Sequence, residues 1–486
     1  VTGRAAAGGE RENDMKQYSE NVKATFFLGI ASFLTSGINY ITTPVFTRLL
    51  STAEYGLISK YNSVYLIVSV IATLTLSRPG ILSVGLYEHK DNRWRFLSVM
   101  LGEVMAASAV SFAVIALLWR PLYGIVKIPF SLILLMIATC ILQPAMTFWT
   151  YKQRYEYVWR STFLVSVGTA VFAQLVSVLA VVWFKANSHC NLAMVRLISA
   201  AAVNLSVSLV IYLNILRRGK RFVDGALWKK TLLFALPLIP HYFGFALLTG
   251  TDKIMIGAML GDDQTGIYSL AAVISTVGAL LWQALCVSVV PFVYEKLGNR
   301  QFSAIDTLTR PLLELVGLFC AAIAFLSPEI IAVMGTEAYR GAAYVIPAAA
   351  AGTFMHVMYD LFSNVAFFHK KPVHIMSATL VAALTNVVLN YLCINAYGYV
   401  AAGYTTLLSY IVLAFTHYRI SRRLERERIF DWKYATALSA GVIGLCLLSM
   451  VFFSLPAARY AVILAIAATA AARRKQYIHA IGEMRV

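Results

Sequence analysis

Runs of about 20 mostly apolar residues, each long enough to cross a hydrocarbon layer as one helix, recur along nearly the whole of this chain. The spacing predicts fourteen of them, at approximately 22–46, 57–86, 97–119, 128–150, 161–184, 193–216, 231–260, 265–293, 309–332, 342–368, 373–395, 399–420, 434–455 and 457–472. A chain so built has few options. Lipid offers no partner to a backbone N–H or C=O, so each run must close its own hydrogen bonds as an α-helix. Of the 486 residues, 59% are hydrophobic and 13% charged, whereas a soluble domain carries about a quarter charged residues. The expectation is an all-α integral membrane protein. Pro456 leaves almost no loop between the last two runs, and no stretch between runs is long enough for an extramembrane domain.

Lysine and arginine give an orientation, because they are retained on the cytoplasmic side of a bilayer. With the N-terminus inside, the cytoplasmic segments hold 31 of the 41 basic residues and the opposite ends hold 9, with Arg78 left within a helix. That bias alternates from loop to loop, and predicts an even helix count with both termini in the cytoplasm. It also accounts for most of the +18 net charge, which reads as topology and contact with anionic lipid headgroups, not as nucleic-acid binding. Val1–Asp14 is Gly/Ala-rich without an apolar core, so it is no signal peptide, and Met15-Lys16 reads as the natural start. The six cysteines are scattered, nearly all inside apolar runs, with no CxxC spacing, so neither a metal site nor a disulfide framework is expected.

The chain also contains a faint copy of itself. Residues 49–59 (Leu-Leu-Ser-Thr-Ala-Glu-Tyr-Gly-Leu-Ile-Ser) are echoed at 259–269 (Met-Leu-Gly-Asp-Asp-Gln-Thr-Gly-Ile-Tyr-Ser), which places Gly56 and Gly266 at equivalent points 210 positions apart. Each copy lies where one apolar helix ends and the next begins. Such internal repetition in a long apolar chain marks a transporter with two helical halves.

Particular residues carry a family resemblance. The run from Tyr40 through Arg48, Glu54 and Gly56 resembles the first-helix signature of Wzx-type polysaccharide flippases. Leu236-Pro-Leu-Ile-Pro240, Thr251-Asp252-Lys253 to Gly257, and Gly266-Ile-Tyr-Ser are similar to their seventh-helix signature. Pro291 to Lys296, Pro328-Glu-Ile, Tyr339-Arg340 and the Asn386/Asn390 pattern before Gly398 and Gly403 extend the likeness over residues 20–420. The resemblance implies the multidrug/oligosaccharidyl-lipid/polysaccharide exporter superfamily, with pseudo-symmetric six-helix lobes opening alternately to either side. The corresponding division is a tail at 1–21, an N-lobe at 22–216, a basic linker at 217–230 and a C-lobe at 231–420. A basic loop at 421–433, a helix pair at 434–472 and a tail at 473–486 follow. The implied substrate is undecaprenyl-diphosphate-linked oligosaccharide in the bacterial inner membrane, with membrane lipids and other polysaccharide assembly proteins as further partners and no cofactor.

Charges inside apolar runs need a reason, since each costs about 2.5–3.5 kcal/mol at the bilayer centre on insertion scales. Arg48 sits at the outer end of the first helix, where it either snorkels to headgroups or lines the cavity mouth. Arg78 lies within the second helix, too deep for snorkelling, so a cavity-lining role is favoured. Two arginines suit a diphosphate, because the guanidinium fork is planar and permanently charged. Asp252 and Lys253 are neighbours about 100° apart on the seventh helix, so one pairs internally while the other faces elsewhere. Asp252 is then a carboxylate for sugar hydroxyls or for a coupling cation. Trp282 with Gln283 falls mid-helix, where an aromatic and an amide could hold a sugar ring. His356 and Asp360 are four apart on one helix face, the spacing of a proton relay or of a satisfied interior pair. Asn386 and Asn390 share a face and read as helix–helix hydrogen bonds. Glu314 follows Arg310 by four residues and reads as its partner.

No GxxxxGK[ST] loop, nucleophile elbow or HExxH is present, so no catalytic residues are assigned. A membrane-embedded glycan polymerase would need acids or arginines on sizeable outward loops, which are short here. A multidrug exporter of the same superfamily remains the nearer alternative. Its cavity should be acidic, yet the deepest charge in the first half is Arg78.

Overall fold

The computed structural model of the chain describes residue 27, residues 29–31 and residues 34–484. The expected tail at 1–21 and the start at Met15 lie outside the described residues. The described residues form helices and connecting turns, with no strand among them. In chain order these are α1 (34–49), α2 (Thr52–Ala72), α3 (Pro79–Glu88), α4 (Arg93–Leu117), α5 (Trp119–Val126), α6 (Phe130–Tyr155), α7 (Trp159–Asn187), α8 (Leu192–Gly219), α9 (Gly225–Ala235) and α10 (Ile239–Met259). They continue as α11 (Asp262–Ser275), α12 (Val277–Gly298), α13 (Phe302–Phe325), α14 (Ser327–Met334), α15 (Ile346–Phe368), α16 (Pro372–Tyr397), α17 (Val400–Leu424), α18 (Trp432–Leu448), α19 (Pro456–Ala472) and α20 (Arg474–Glu483).

Among the described residues ten helices are long and apolar enough to span a bilayer, and an eleventh forms from the 3₁₀ turn Glu337–Tyr344 and α15, bent by 51°. The other three expected spans differ from the simple pattern. The first is described only in part. The fourteenth, α19, has 17 residues. The second, expected as one helix over 57–86, is broken at residues 73–78, where Leu74 and Thr75 take positive φ (50° and 57°). Pro79 explains the position of the break, because it disfavours helical ψ at the residue before it. Arg78 is accordingly extended (φ −78°, ψ 144°) at the N-cap position of α3, without a side-chain capping bond. The Ser108 hydroxyl of α4 donates to the Ala72 carbonyl exposed by the break, at 2.9 Å.

The chain divides into two compact units, one of residues up to Leu49 with Val68–Leu236, the other of Leu50–Ile67 with Pro237 onward. In the first, α4, α6, α7 and α8 pack on one another. The second is built around α15, which packs on α12, α13, α17 and α18, while α16 joins α10 to α17. Its core holds Trp282, Phe292, Phe325, Phe354 and Phe362. Pro237 and Pro240 interrupt the run 231–260, with a 3₁₀ turn at Leu236–Leu238 separating α9 from α10.

The C-terminal helices are tied to this second unit by charge. Arg310 pairs with Asp306 one turn earlier and with Asp431 at 3.3 Å, not with Glu314. An acid preceding its base by four residues is the better-oriented helical pair. Glu314 instead accepts from Tyr434 (2.6 Å) and pairs with Arg473. Those contacts fasten α18 and α20 to α13.

The segment Leu50–Ile67, read from the sequence as part of the N-terminal half, belongs by its contacts to the second unit. It does so through the repeated motif itself. A Cβ on Gly56 would stand 1.8 Å from the Asp262 carbonyl oxygen, and one on Gly266 would stand 2.1 Å from that of Thr52. The two copies of the repeat therefore cross at their glycines, backbone on backbone. Lys60, 1% exposed, reaches Asp262 at 2.6 Å beside the crossing, and the Thr52 hydroxyl donates to Asp263.

Candidate functional site

Asp252 is a buried charge of the second unit held only by neutral partners. It lies on α10 with 4% of its surface exposed. One carboxylate oxygen accepts from Tyr268 of α11 (2.6 Å) and Thr406 of α17 (2.7 Å), and the other accepts from Asn390 of α16 (2.7 Å). The amides continue the network: Asn390 also donates to Asn386 (3.0 Å), Asn386 donates to Thr406 (3.0 Å), and the Thr405 hydroxyl donates to Asn390. Every donor to the carboxylate is neutral, and Asp252 has no salt bridge among the described residues. Lys253, the next residue, is half-buried and likewise without a salt bridge among the described residues. Four helices thus bring a buried anion and several side-chain oxygens together. A proton or a hard monovalent cation is the species that would balance such a group.

Asn386 and Asn390, read as helix–helix bonds, form such bonds and converge on Asp252. Tyr268, Thr405 and Thr406 were not singled out from the sequence. Tyr268 lies inside the repeat, and Thr405-Thr406 is a hydroxyl pair near the start of α17, so the sequence carries a weak signal.

A second polar set lies on α12 and α15. Asp360 accepts from the Trp282 indole N–H at 2.8 Å and from the Cys286 thiol at 3.5 Å. His356, one turn earlier, makes no hydrogen bond to Asp360 among the described residues. Its ring is framed by Tyr410 (5.4 Å between centroids), Tyr359 (5.6 Å) and Phe245 (5.8 Å). Trp282 is 2% exposed while its neighbour Gln283 is exposed, so the two do not share one surface. An indole buried in the core and bonded to a carboxylate has no free face for a sugar.

The arginines belong to the first unit. Arg48 is exposed and donates to the Pro44 carbonyl of its own helix at 2.9 Å. Arg78 is half-buried at the start of α3, and the break in the second span is what presents it there. Among the described residues no group of three His, Cys, Asp or Glu side chains could hold a metal ion.

The family model described as "Polysaccharide biosynthesis protein" matches residues 22–295, more than half of the chain. The chain belongs to this family. A second model, MatE, matches residues 237–392. This member of the polysaccharide biosynthesis family shares its fold with the lipid II flippase MurJ in an inward closed conformation. The TM-score is 0.62 at 14% identity, covering 93% of this chain and 99% of that one. An inward-facing multidrug resistance MATE family transporter of the MOP superfamily gives 0.56 at 12% identity, covering 82% and 94%. The Lsg locus putative protein 1 of Haemophilus influenzae is 34% identical over 68 residues, 14% of this chain, and the match spans only 17% of that relative's length.

Proposed function

We propose that the chain is a flippase carrying undecaprenyl-diphosphate-linked oligosaccharide, the repeat unit of an O-antigen, capsule or exopolysaccharide, across the bacterial inner membrane by alternating access. The observation that carries this reading is the polysaccharide-biosynthesis match over residues 22–295 of a chain built from membrane-spanning helices. The substrate leaves unchanged: no covalent step is required, and both termini lie in the cytoplasm. Arg48 and Arg78 supply cations for the diphosphate. Lys253 and Gln283 contact the glycan headgroup. Asp252 is the coupling carboxylate, taking a proton or monovalent cation within the ring of Tyr268, Asn390 and Thr406, while His356 and Asp360, one turn apart on α15, serve ion coupling separately.

Deleting the gene should leave lipid-linked oligosaccharide accumulating on the cytoplasmic leaflet with loss of surface glycan. The MatE match over 237–392 favours one rival, a multidrug exporter. Unchanged lipid-linked sugar together with heightened sensitivity to cationic dyes would establish that rival instead.

A further inference from the structure

The first unit contains a polar hollow of about 290 Å³, lined from α1, α6, α7 and α8. Its lining is periodic. On α6, Gln143, Thr147, Tyr151 and Arg154 follow one another at intervals of four, four and three, which is one face of a helix. Ser166 and Thr169 do the same on α7, and Asn204 and Ser208 on α8. Three membrane helices therefore turn a polar stripe toward a common space, where apolar side chains would have packed more cheaply.

Hydroxyls on membrane helices ordinarily fold back on their own backbone. Thr139 and Thr162 of α6 and α7 do so, bonding the carbonyl four residues earlier at 2.7 and 2.6 Å. Of the hydroxyls lining the hollow, Thr150 does the same with the Met146 carbonyl at 2.8 Å, while Thr147, Ser166 and Thr169 make no such bond among the described residues. Asn204 spends one N–H on the Ala200 carbonyl (2.8 Å), which leaves its second N–H and its carbonyl oxygen. These are paired donors and acceptors, neutral, distributed around a space near the lower limit of small-ligand pockets, about 300 Å³. The one cation of the stripe, Arg154, stands at its C-terminal end.

Resting on the flippase reading above, we propose that this hollow binds a single sugar ring of the lipid-linked glycan. The Asn204 amide and the hydroxyls of Thr147, Ser166 and Thr169 bond the ring hydroxyls, while Arg154, lying over the Tyr151 ring at 5.7 Å, closes the end of the stripe. The hollow would then select among glycans, a task separate from gripping the diphosphate. A site built to bond hydroxyls discriminates strongly, because an unmatched polar group is left unpaired.

The test uses the full chain in detergent carrying Ala170→Cys, a lining position, and measures its rate of modification by a maleimide. The probe is lipid-linked oligosaccharide extracted from a host deleted for this gene, compared with the same lipid after mild acid has removed the oligosaccharide. The expected result is at least a fivefold slowing by the intact lipid and none by the stripped lipid. Adding Asn204→Leu or Ser166→Ala should abolish that protection without lowering the melting temperature. Equal protection by stripped lipid, or none by either, overturns the sugar site. So does protection that survives in Ser166→Ala and disappears in Asn204→Leu only with loss of stability. A deletion host that accumulates no lipid-linked oligosaccharide refutes the transport reading, and this inference with it.

Discussion

Gly56→Ala should separate the two copies of the internal repeat. The new methyl would lie 1.8 Å from the Asp262 carbonyl oxygen, and contacts below 3.0 Å are essentially never seen. Backbone must therefore retreat by more than 1 Å at a site where no flexible side chain can yield. Overpacking of this kind costs about 1–3 kcal/mol. Asp262 also carries the carboxylate that meets Lys60 at 2.6 Å. Lengthening that pair to about 4 Å at an effective dielectric near 20 forfeits roughly 2 kcal/mol of attraction. The combined loss is about 3–5 kcal/mol, or a fall of roughly 6–20 °C in the melting point of a unit this size. Gly266→Ala should do nearly as much, since its methyl would lie 2.1 Å from the Thr52 carbonyl. The double variant should cost little more than the worse single, because one methyl already parts the crossing. Fluorescence-detected thermal unfolding in detergent measures all three. Strictly additive losses, or a Gly56→Ala protein that melts with the wild type, would refute the backbone crossing.

Four further outcomes are expected. Arg78→Ala should abolish surface glycan at normal protein abundance, and Arg78→Lys should restore it poorly because the planar fork is lost; wild-type glycan in Arg78→Ala removes the arginine from the substrate path. Asp252→Asn should keep the fold, its donors being neutral, yet transport should no longer respond to an imposed proton or sodium gradient; an unaltered response in proteoliposomes excludes it as the coupling carboxylate. Asp224, capping α9, is held below the usual carboxylate range by the Leu227 N–H and by Arg221 and Arg95. Its contribution is thus complete above the unfolded value near 3.9 and lost as pH falls through the lower folded value, so Asp224→Asn should flatten the acid limb of a melting-temperature profile below about pH 4, and an unchanged slope would contradict the assignment. Reporter fusions after residues 20, 225 and 484 should all report cytoplasm, and a periplasmic signal at 225 would overturn the topology.

Much of the architecture is written locally. Apolar runs of spanning length determine helices wherever the solvent is lipid, since the backbone has no other way to satisfy itself. Pro237 and Pro240 mark the 3₁₀ turn before α10, because proline acts on its immediate neighbours, whereas the apolar run 57–86 predicts one helix and hides the break that Pro79 places before itself and that leaves Arg78 extended. The four-residue spacing of Asn386 and Asn390 identifies a polar face. What no local pattern contains is the partner of that face. Asn390 meets an aspartate 138 positions away, and Trp282 meets an aspartate 78 positions on, where the sequence suggested a sugar. The repeat is the sharpest case. The repeat puts two glycines at equivalent points 210 positions apart, and their meeting backbone on backbone depends on how distant helices pack. Helical periodicity says which side of a segment is polar, small or apolar. In lipid, where every apolar face is equally solvated by the bilayer, close packing and hydrogen bonding between distant helices choose what that side will touch.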